Sequence, residues 1–263
     1  MTEVNNPVRS WLLLRGLTRE RRHWEDFPEI FAGHFPHDRI TFHDYAGNGA
    51  RYREQSANSI SAMVEDARAA VKSSDQPVYI IGISLGSMVA IDWLSRYPAE
   101  LSAAVLVSTS LKGLSPFYQR LLPGNYPAII RSLLYRRDYR RNELNNLNMV
   151  SSMLVHDAQR SHEIIDHWVS YAKEYPVSAY NALRQLQAAT RYRLDVRQAK
   201  PDVPMLVLRG MQDHMVSPKC SQRFAEHWQL PIRTHQEAGH DIPLDDPQWV
   251  CEKIRAWLKV ARL

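Results

Sequence analysis

Gly82-Ile83-Ser84-Leu85-Gly86 follows the apolar run Val78-Tyr79-Ile80-Ile81 and opens an amphipathic stretch over residues 88–97. An apolar run of that length reads as a buried strand, and apolar residues at three- and four-residue spacing after it read as a helix. A serine on a tight strand-to-helix turn, with glycine two residues to either side, is the arrangement of a nucleophile elbow, because the turn leaves no room for side chains at the flanking positions. Ser84 is therefore the candidate nucleophile.

Working outward, residues 10–15, 39–43, 78–82 and 103–108 read as short strands, and residues 24–35, 56–72 and 88–97 as helices between them. Alternation of strand and helix predicts an α/β protein with a parallel sheet. The rhythm stops after Ser110, and no convincing strand is found from residue 112 to 200. Helical periodicity takes over: Leu144, Leu147, Val150 and Leu154 share one face, as do Ile164, Ile165, Trp168, Ala172 and Tyr175. Pro176 breaks the chain before a further helix carrying Ala179, Leu183, Leu186 and Ala189. Strands at 204–208 and 232–235 resume the alternation. Ser217 with Pro218 starts the helix between them, running to about residue 228, and Asp246 with Pro247 starts the last one. The domain expectation is a core of residues 1–111 and 201–263 with a helical insertion over 112–200.

Bulk properties fit one globular unit: 263 residues, 44% hydrophobic. The polar stretch 1–10 and the short apolar run 11–14 match neither a signal segment nor a membrane span, so cytoplasmic residence is the default expectation. Cys220 and Cys251 lack partners at metal-ligand spacing and read as reduced, partly buried thiols. The net charge of +5 comes mainly from arginine, most densely at Arg136-Arg137-Asp138-Tyr139-Arg140-Arg141. No recognised nucleic-acid module accompanies that cluster, and a solvated helix face is the favoured reading, with attraction of an anionic substrate the minority one.

Two further residues complete a chemical constellation. Asp213 and His240 each fall in the loop after a predicted strand, the edge at which open α/β sheets place their sites. A seryl hydroxyl is a poor nucleophile at neutral pH. His240 would take its proton, and Asp213 would orient the imidazole and stabilise its charged form. The developing oxyanion needs preorganised donors, for which the backbone N–H groups of Leu17 and Leu85 are the candidates. The rival carboxylates are Asp241, adjacent to the histidine, and Asp245 and Asp246, which begin a helix; the rival histidines His214 and His235 share the acid's loop or lie in a strand.

On Leu14-Arg15-Gly16-Leu17, the stretch from Gly82 to Ala90, Leu208-Arg209-Gly210-Met211-Gln212-Asp213, and Gly239-His240 with Pro247 following, the chain resembles the α/β-hydrolase-fold serine hydrolases of the capped esterase and lactonase kind, over residues 11–258. The resemblance implies a mostly parallel central sheet flanked by helices, a helical cap over residues 112–200, and Ser84, Asp213, His240, Leu17 and Leu85 in the roles given above. The family's usual first two antiparallel strands are not read here, the strand at Trp11 being the one normally third. Arg15 stands where the family often has histidine, and Ser87 where a glycine commonly follows the elbow. Arg15 is read as holding loop carbonyls, or as a bidentate partner for a substrate carboxylate, the structural role being favoured. Phe117, Tyr118, Tyr126, Trp168, Tyr171 and Tyr175 are candidates to line a pocket, Trp168 with Arg15 being the possible substrate-binding pair.

The expected activity is hydrolysis of a small or medium carboxylic ester, lactone or thioester through an acyl-serine, on a small-molecule substrate, with no metal or organic cofactor implied and no nucleic-acid or membrane partner. Two alternatives stand beside it: a carbon–carbon bond hydrolase or cofactor-free lyase on an anionic substrate, and a non-catalytic ligand-binding protein of the same fold.

Overall fold

Trp11 and Leu13 of the first strand point to one side and Leu12 and Leu14 to the other, and all four are buried. A strand apolar on both faces needs cover on both, which only a sheet sandwiched between helix layers supplies. A computed structural model describes residues 8–71 and 77–263. Residues 1–7, part of the polar stretch at the start, and Lys72, the last residue of one expected helix, lie outside the described residues.

Among the described residues, six strands form one sheet: β1 (Ser10–Leu14), β2 (Arg39–His43), β3 (Val78–Ile83), β4 (Leu101–Val107), β5 (Met205–Gly210) and β6 (Ile232–His235), in the order β2-β1-β3-β4-β5-β6. Every pairing is parallel. The chain leaves β1 toward β2 and returns on the other side as β3, so the order reverses at β1. Loops following β1 and β3 therefore diverge at a crevice on the carboxyl edge.

Helices α1 (Phe27–His34), α2 (Ile60–Val71) and α3 (Leu85–Arg96) connect the first four strands. Between β4 and β5 lie α4 (Phe117–Arg120), α5 (Tyr126–Leu134), α6 (Tyr139–Val150), α7 (Ala158–Glu174) and α8 (Ala179–Arg191). Among the described residues, the only strand-like feature there is an isolated bridge from Lys112 to Arg193. Helix α9 (Lys219–Trp228) joins β5 to β6, and α10 (Ile242–Asp245) and α11 (Pro247–Ala261) end the chain. One sheet face packs Leu12, Leu14 and Ile80 against Met63, Val89, Trp93 and Phe224 of α2, α3 and α9. The other packs Trp11, Leu13 and Ile81 against Phe27, Phe31 and Ile254 of α1 and α11. Among the described residues, no helix is long and apolar enough to cross a membrane.

Several expected boundaries move, each for a local reason. The helix expected from Trp24 divides into a 3-10 turn over Arg21–Trp24 and α1, parted at Glu25 with φ 47°. Pro28 has no N–H to donate back along a helix, so it sits in α1's first turn. The helix expected from Ser56 starts at Ile60, because Ser56 is engaged elsewhere: its N–H donates to Asn181 Oδ1 at 3.0 Å and its hydroxyl to the Ala46 carbonyl at 2.7 Å. Pro218, rather than Ser217, stands at the N-cap position of α9 and makes no side-chain cap bond, while the Ser217 N–H donates to the Gln119 carbonyl at 2.8 Å. Asp246 caps α11 as expected, accepting from the Trp249 N–H at 2.9 Å.

The face assignments in α6 and α8 change as well. Leu147 and Leu154 pack with Ile164, Ile165 and Trp168 of α7, whereas Leu144 is exposed. In α8 the buried residues are Asn181, Gln185 and Ala188, not the Leu183 and Leu186 stripe.

Candidate active site

Ser84 sits between β3 and α3 with φ 54° and ψ −108°, a left-handed backbone that strains any residue with a Cβ. Its surroundings hold it there. The Ser84 N–H donates to the Val107 carbonyl at 3.0 Å, and its own carbonyl accepts from Met88 at 3.1 Å, the first turn of α3. A Cβ at Gly82 would meet the Gly86 carbonyl at 2.6 Å, and one at Gly86 would overlap the Leu14 carbonyl of β1. Both elbow glycines are thus required by close backbone approach. Ser87 has a role of its own: its hydroxyl lies 2.6 Å from the Gly82 carbonyl and 2.9 Å from that of Val107, tying the helix start to β3 and β4.

The loop after β1 lies against this turn, since a Cβ on Gly16 would stand 3.6 Å from Ser84 Cβ. Leu17 and Leu85 line the same cavity as Ser84. Leu85 is the first residue of α3, so its N–H has no carbonyl four residues back to bond, and the helix dipole favours negative charge there. The loop's shape is fixed from α8: the fully buried Gln185 accepts from the Thr18 N–H at 2.8 Å and donates to Asn48 Oδ1 at 2.7 Å.

Asp213 and His240 arrive from the loops after β5 and β6. Those loops are laced together, with Met211 N–H on the His235 carbonyl at 2.9 Å and Gln212 N–H on that of Ala238 at 3.1 Å. Asp213 Oδ1 accepts the Met215 and Val216 N–H groups at 2.9 and 2.8 Å, which leaves Oδ2 for His240 Nδ1 at 2.7 Å. Both side chains are almost wholly buried. Burial is the largest influence on the imidazole and pushes its pKa down, but the charge and hydrogen bond of Asp213, with Asp241 behind, outweigh it and leave the value above the ordinary 6.5. His240 Nε2 is buried without a hydrogen-bond partner among the described residues, and Ser84 and His240 line the same cavity of about 560 Å³.

Ser84, Asp213, His240, Leu17 and Leu85 therefore meet at one edge of the sheet. Arg15 also borders the cavity, but its fork is occupied: Nη1 donates to Asp241 Oδ1 at 3.3 Å and Nη2 to Oδ2 at 2.5 Å, with the guanidinium 4.9 Å from the Trp24 ring centroid. The residue next to the histidine is thus its partner, in place of the loop carbonyls expected, and the pair joins the β1 loop to the β6 loop. Asp245, expected to cap a helix, braces the histidine loop instead, accepting the Gly239 N–H at 2.7 Å and the Ser152 N–H at 3.2 Å. Ser108 adds another tie, donating to the His240 carbonyl at 2.7 Å.

Of the six aromatics considered, Phe117, Trp168, Tyr171 and Tyr175 line the cavity, whereas Tyr118 and Tyr126 do not. Trp168 does so as part of a packed cluster, with Nε1 donating to Glu25 at 2.9 Å and Arg19 stacked at 4.4 Å. Leu183, Leu186 and Ala189 of α8 also face the cavity. The arginine run lies exposed at the start of α6, with Arg140 paired to Asp166, while Arg136 and Arg137 reach the cavity margin. Cys220 and Cys251 are free and buried.

The fold recurs in solved structures at low sequence identity. A hydrolase from Pseudomonas aeruginosa PA01 superposes with a TM-score of 0.76 at 17% identity, covering 95% of this chain and 90% of the other. A thermophilic esterase from Thermogutta terrifontis gives 0.74 at 19% identity over 95% and 89%. An esterase from Rhodococcus sp. ECU1013 gives 0.74 at 16% identity over 96% and 90%. No curated protein matches the chain in sequence. The sequence model of the family Hydrolase_4, described as serine aminopeptidase, S33, matches residues 39–247. The chain has the α/β-hydrolase fold, a mostly parallel sheet flanked by helices, and belongs as an enzyme to this serine aminopeptidase S33 hydrolase family.

Proposed function

We propose that the protein is a serine hydrolase of small or medium carboxylic esters, lactones or thioesters, with Ser84 as nucleophile, His240 as general base and Asp213 as its orienting carboxylate. The observation that carries this reading is the buried bond of 2.7 Å from His240 Nδ1 to Asp213, with Nε2 unpartnered in a ring that borders the cavity Ser84 also lines. The bond to Asp213 fixes the tautomer with its proton on Nδ1, so Nε2 carries the lone pair.

Rotation of the Ser84 hydroxyl toward Nε2 lets the proton pass to the imidazole as Oγ bonds to the substrate's carbonyl carbon. The carbonyl π electrons move onto oxygen, where the Leu17 and Leu85 N–H groups receive the charge. Collapse of that tetrahedral species breaks the bond to the leaving alkoxide or thiolate, which takes the proton from Nε2. Water then repeats the sequence against the acyl-serine, giving its proton to Nε2 and returning Ser84 with its own. Helices α4 to α8, within residues 112–200, act as the cap that encloses the substrate.

The family's description raises aminopeptidase activity as a rival. An amino-terminal substrate brings an ammonium group that needs a carboxylate to receive it. The acidic residues lining the cavity are Glu20, Glu143 and Asp241, and each is already paired with an arginine: Arg22, Arg19 and Arg15. That pairing favours a substrate without a free ammonium.

A p-nitrophenyl acyl-chain series with wild type and Ser84→Ala, together with fluorophosphonate labelling, tests the proposal. Turnover and labelling in the wild type, both lost in Ser84→Ala, are expected. A wild type inert to both would end the reading.

A further inference from the structure

Arg120, at the end of α4, is 9% exposed and borders the cavity, and no carboxylate lies within ion-pairing distance of it among the described residues. Its Nη2 donates to the Ala189 carbonyl at 2.7 Å and Nη1 to that of Thr190 at 3.4 Å, while Nε is buried without a partner. Carbonyls at the end of α8 offer partial negative charge only. A buried full charge is costly unless an opposite charge meets it, and the cavity's own acids are committed to other arginines. Exposed Arg136 and Arg137 at the margin add positive charge along the same space. Burial holds the Arg120 pKa below its ordinary value without threatening its charge.

We propose that Arg120 is a substrate-binding residue, forming an anion subsite that receives a carboxylate carried on the ester. The inference rests on the ester-hydrolase reading above and deepens it. The α4–α5 segment bearing Arg120 is fastened to the loop of the candidate acid: the Leu122 N–H donates to the Met215 carbonyl at 2.9 Å, and Asn125 Nδ2 to that of His214 at 2.7 Å. The subsite is therefore held in register with Asp213 and His240. A carboxylate on the acyl chain and one on the alcohol are both anions this guanidinium can take, and they place the ester bond at opposite ends of the bound molecule.

The test compares kcat/KM for p-nitrophenyl hemiesters of succinate, glutarate and adipate with neutral acyl esters of equal length, and 4-carboxyphenyl butyrate with phenyl butyrate. Wild type is expected to prefer the charged member of one pair, the pair identifying the acyl or alcohol side. In Arg120→Gln that preference ratio should fall roughly tenfold or more, with partial return in Arg120→Lys, which keeps the charge without the fork. A second readout does not depend on turnover or on the variant folding well: glutarate should raise the melting temperature of wild type, and glutaramide should not. Good hydrolysis of neutral esters with no preference for a charged one, and no glutarate shift, overturns the subsite while leaving the hydrolase reading intact. Inertness to every ester overturns the hydrolase reading, and the glutarate shift then decides the anion site by its presence or absence.

Discussion

The buried pair of Arg15 and Asp241 permits a prediction in which sign as well as size can be worked out. Both side chains are nearly inaccessible, at 5% and 3%, and they share two hydrogen bonds. Asp241→Asn leaves the guanidinium charge buried against a neutral amide, and Arg15→Met leaves a buried carboxylate with its charge unmatched. Each single change should cost about 3–5 kcal/mol, the usual effect of stranding one member of a buried pair. For a chain of this size that lowers the melting temperature by roughly 6–20 °C. The double variant Arg15→Met/Asp241→Leu strands no charge and should be more stable than either single, because well-packed apolar replacements of buried pairs are often close to neutral. Urea and thermal unfolding followed by circular dichroism would measure this cycle. The pair also flanks His240, whose pKa Asp241 raises and Arg15 lowers. The acidic limb of kcat/KM should therefore move down in Asp241→Asn and up in Arg15→Met, a divergence that simple loosening of the fold would not produce. Singles within 1 kcal/mol of wild type would refute the reasoning, as would a double variant as unstable as the sum of its parts or limbs moving in the same direction.

Two further outcomes follow from the titrating groups. General-base action requires neutral His240, so kcat/KM on a neutral ester should rise with pH through a limb above 6.5, and Asp213→Asn should lower that limb, read from pH–rate profiles; a limb unmoved by the substitution would remove Asp213 as partner. Asp44 has its carboxyl pushed up to about 6, chiefly by burial, so its contribution to stability is fully present below the ordinary value of 3.8 and is lost as pH rises through about 6. Asp44→Asn should accordingly raise stability at pH 8 by roughly 1–3 kcal/mol and by almost nothing at pH 4, as urea titrations at the two pH values would show.

Much of the fold was legible because its decisive signals are local. Strands β1, β3, β4 and β5 are short apolar runs buried on both faces, and Ser84, Asp213 and His240 stand in the loops after β3, β5 and β6, so the parallel order of the sheet brings them to one edge. What escaped depends on partners far along the chain. The Arg15–Asp241 pair spans two loops whose approach follows from sheet order, and Arg15 in isolation offered a carbonyl or a substrate as readily as Asp241. Nothing in the sequence marks Arg120 out from the other arginines of a basic chain; its carbonyl partners, at the end of α8, stand about seventy residues further on.

Helix α8 shows why periodicity stops short of a site. Its Leu183, Leu186 and Ala189 stripe is apolar at helical spacing, which reads as the face that packs; yet the residues turned into the core are Asn181, Gln185 and Ala188, and the apolar stripe borders the cavity. The inversion is affordable because Gln185 is satisfied on both its oxygen and its nitrogen by Thr18, Asn48 and Ser56, and Asn181 by Ser56 and the Glu54 carbonyl. Hydrophobic pattern reports which face avoids water, and a substrate cavity avoids water as a core does. In α8 the buried polar side is fully bonded, and the apolar side is left to line the cavity. Together with Arg120, bonded to its last carbonyls, α8 presents to the cavity an apolar wall that finishes in a positive charge, which on the proposed reading complements a chain carrying a carboxylate at its tip.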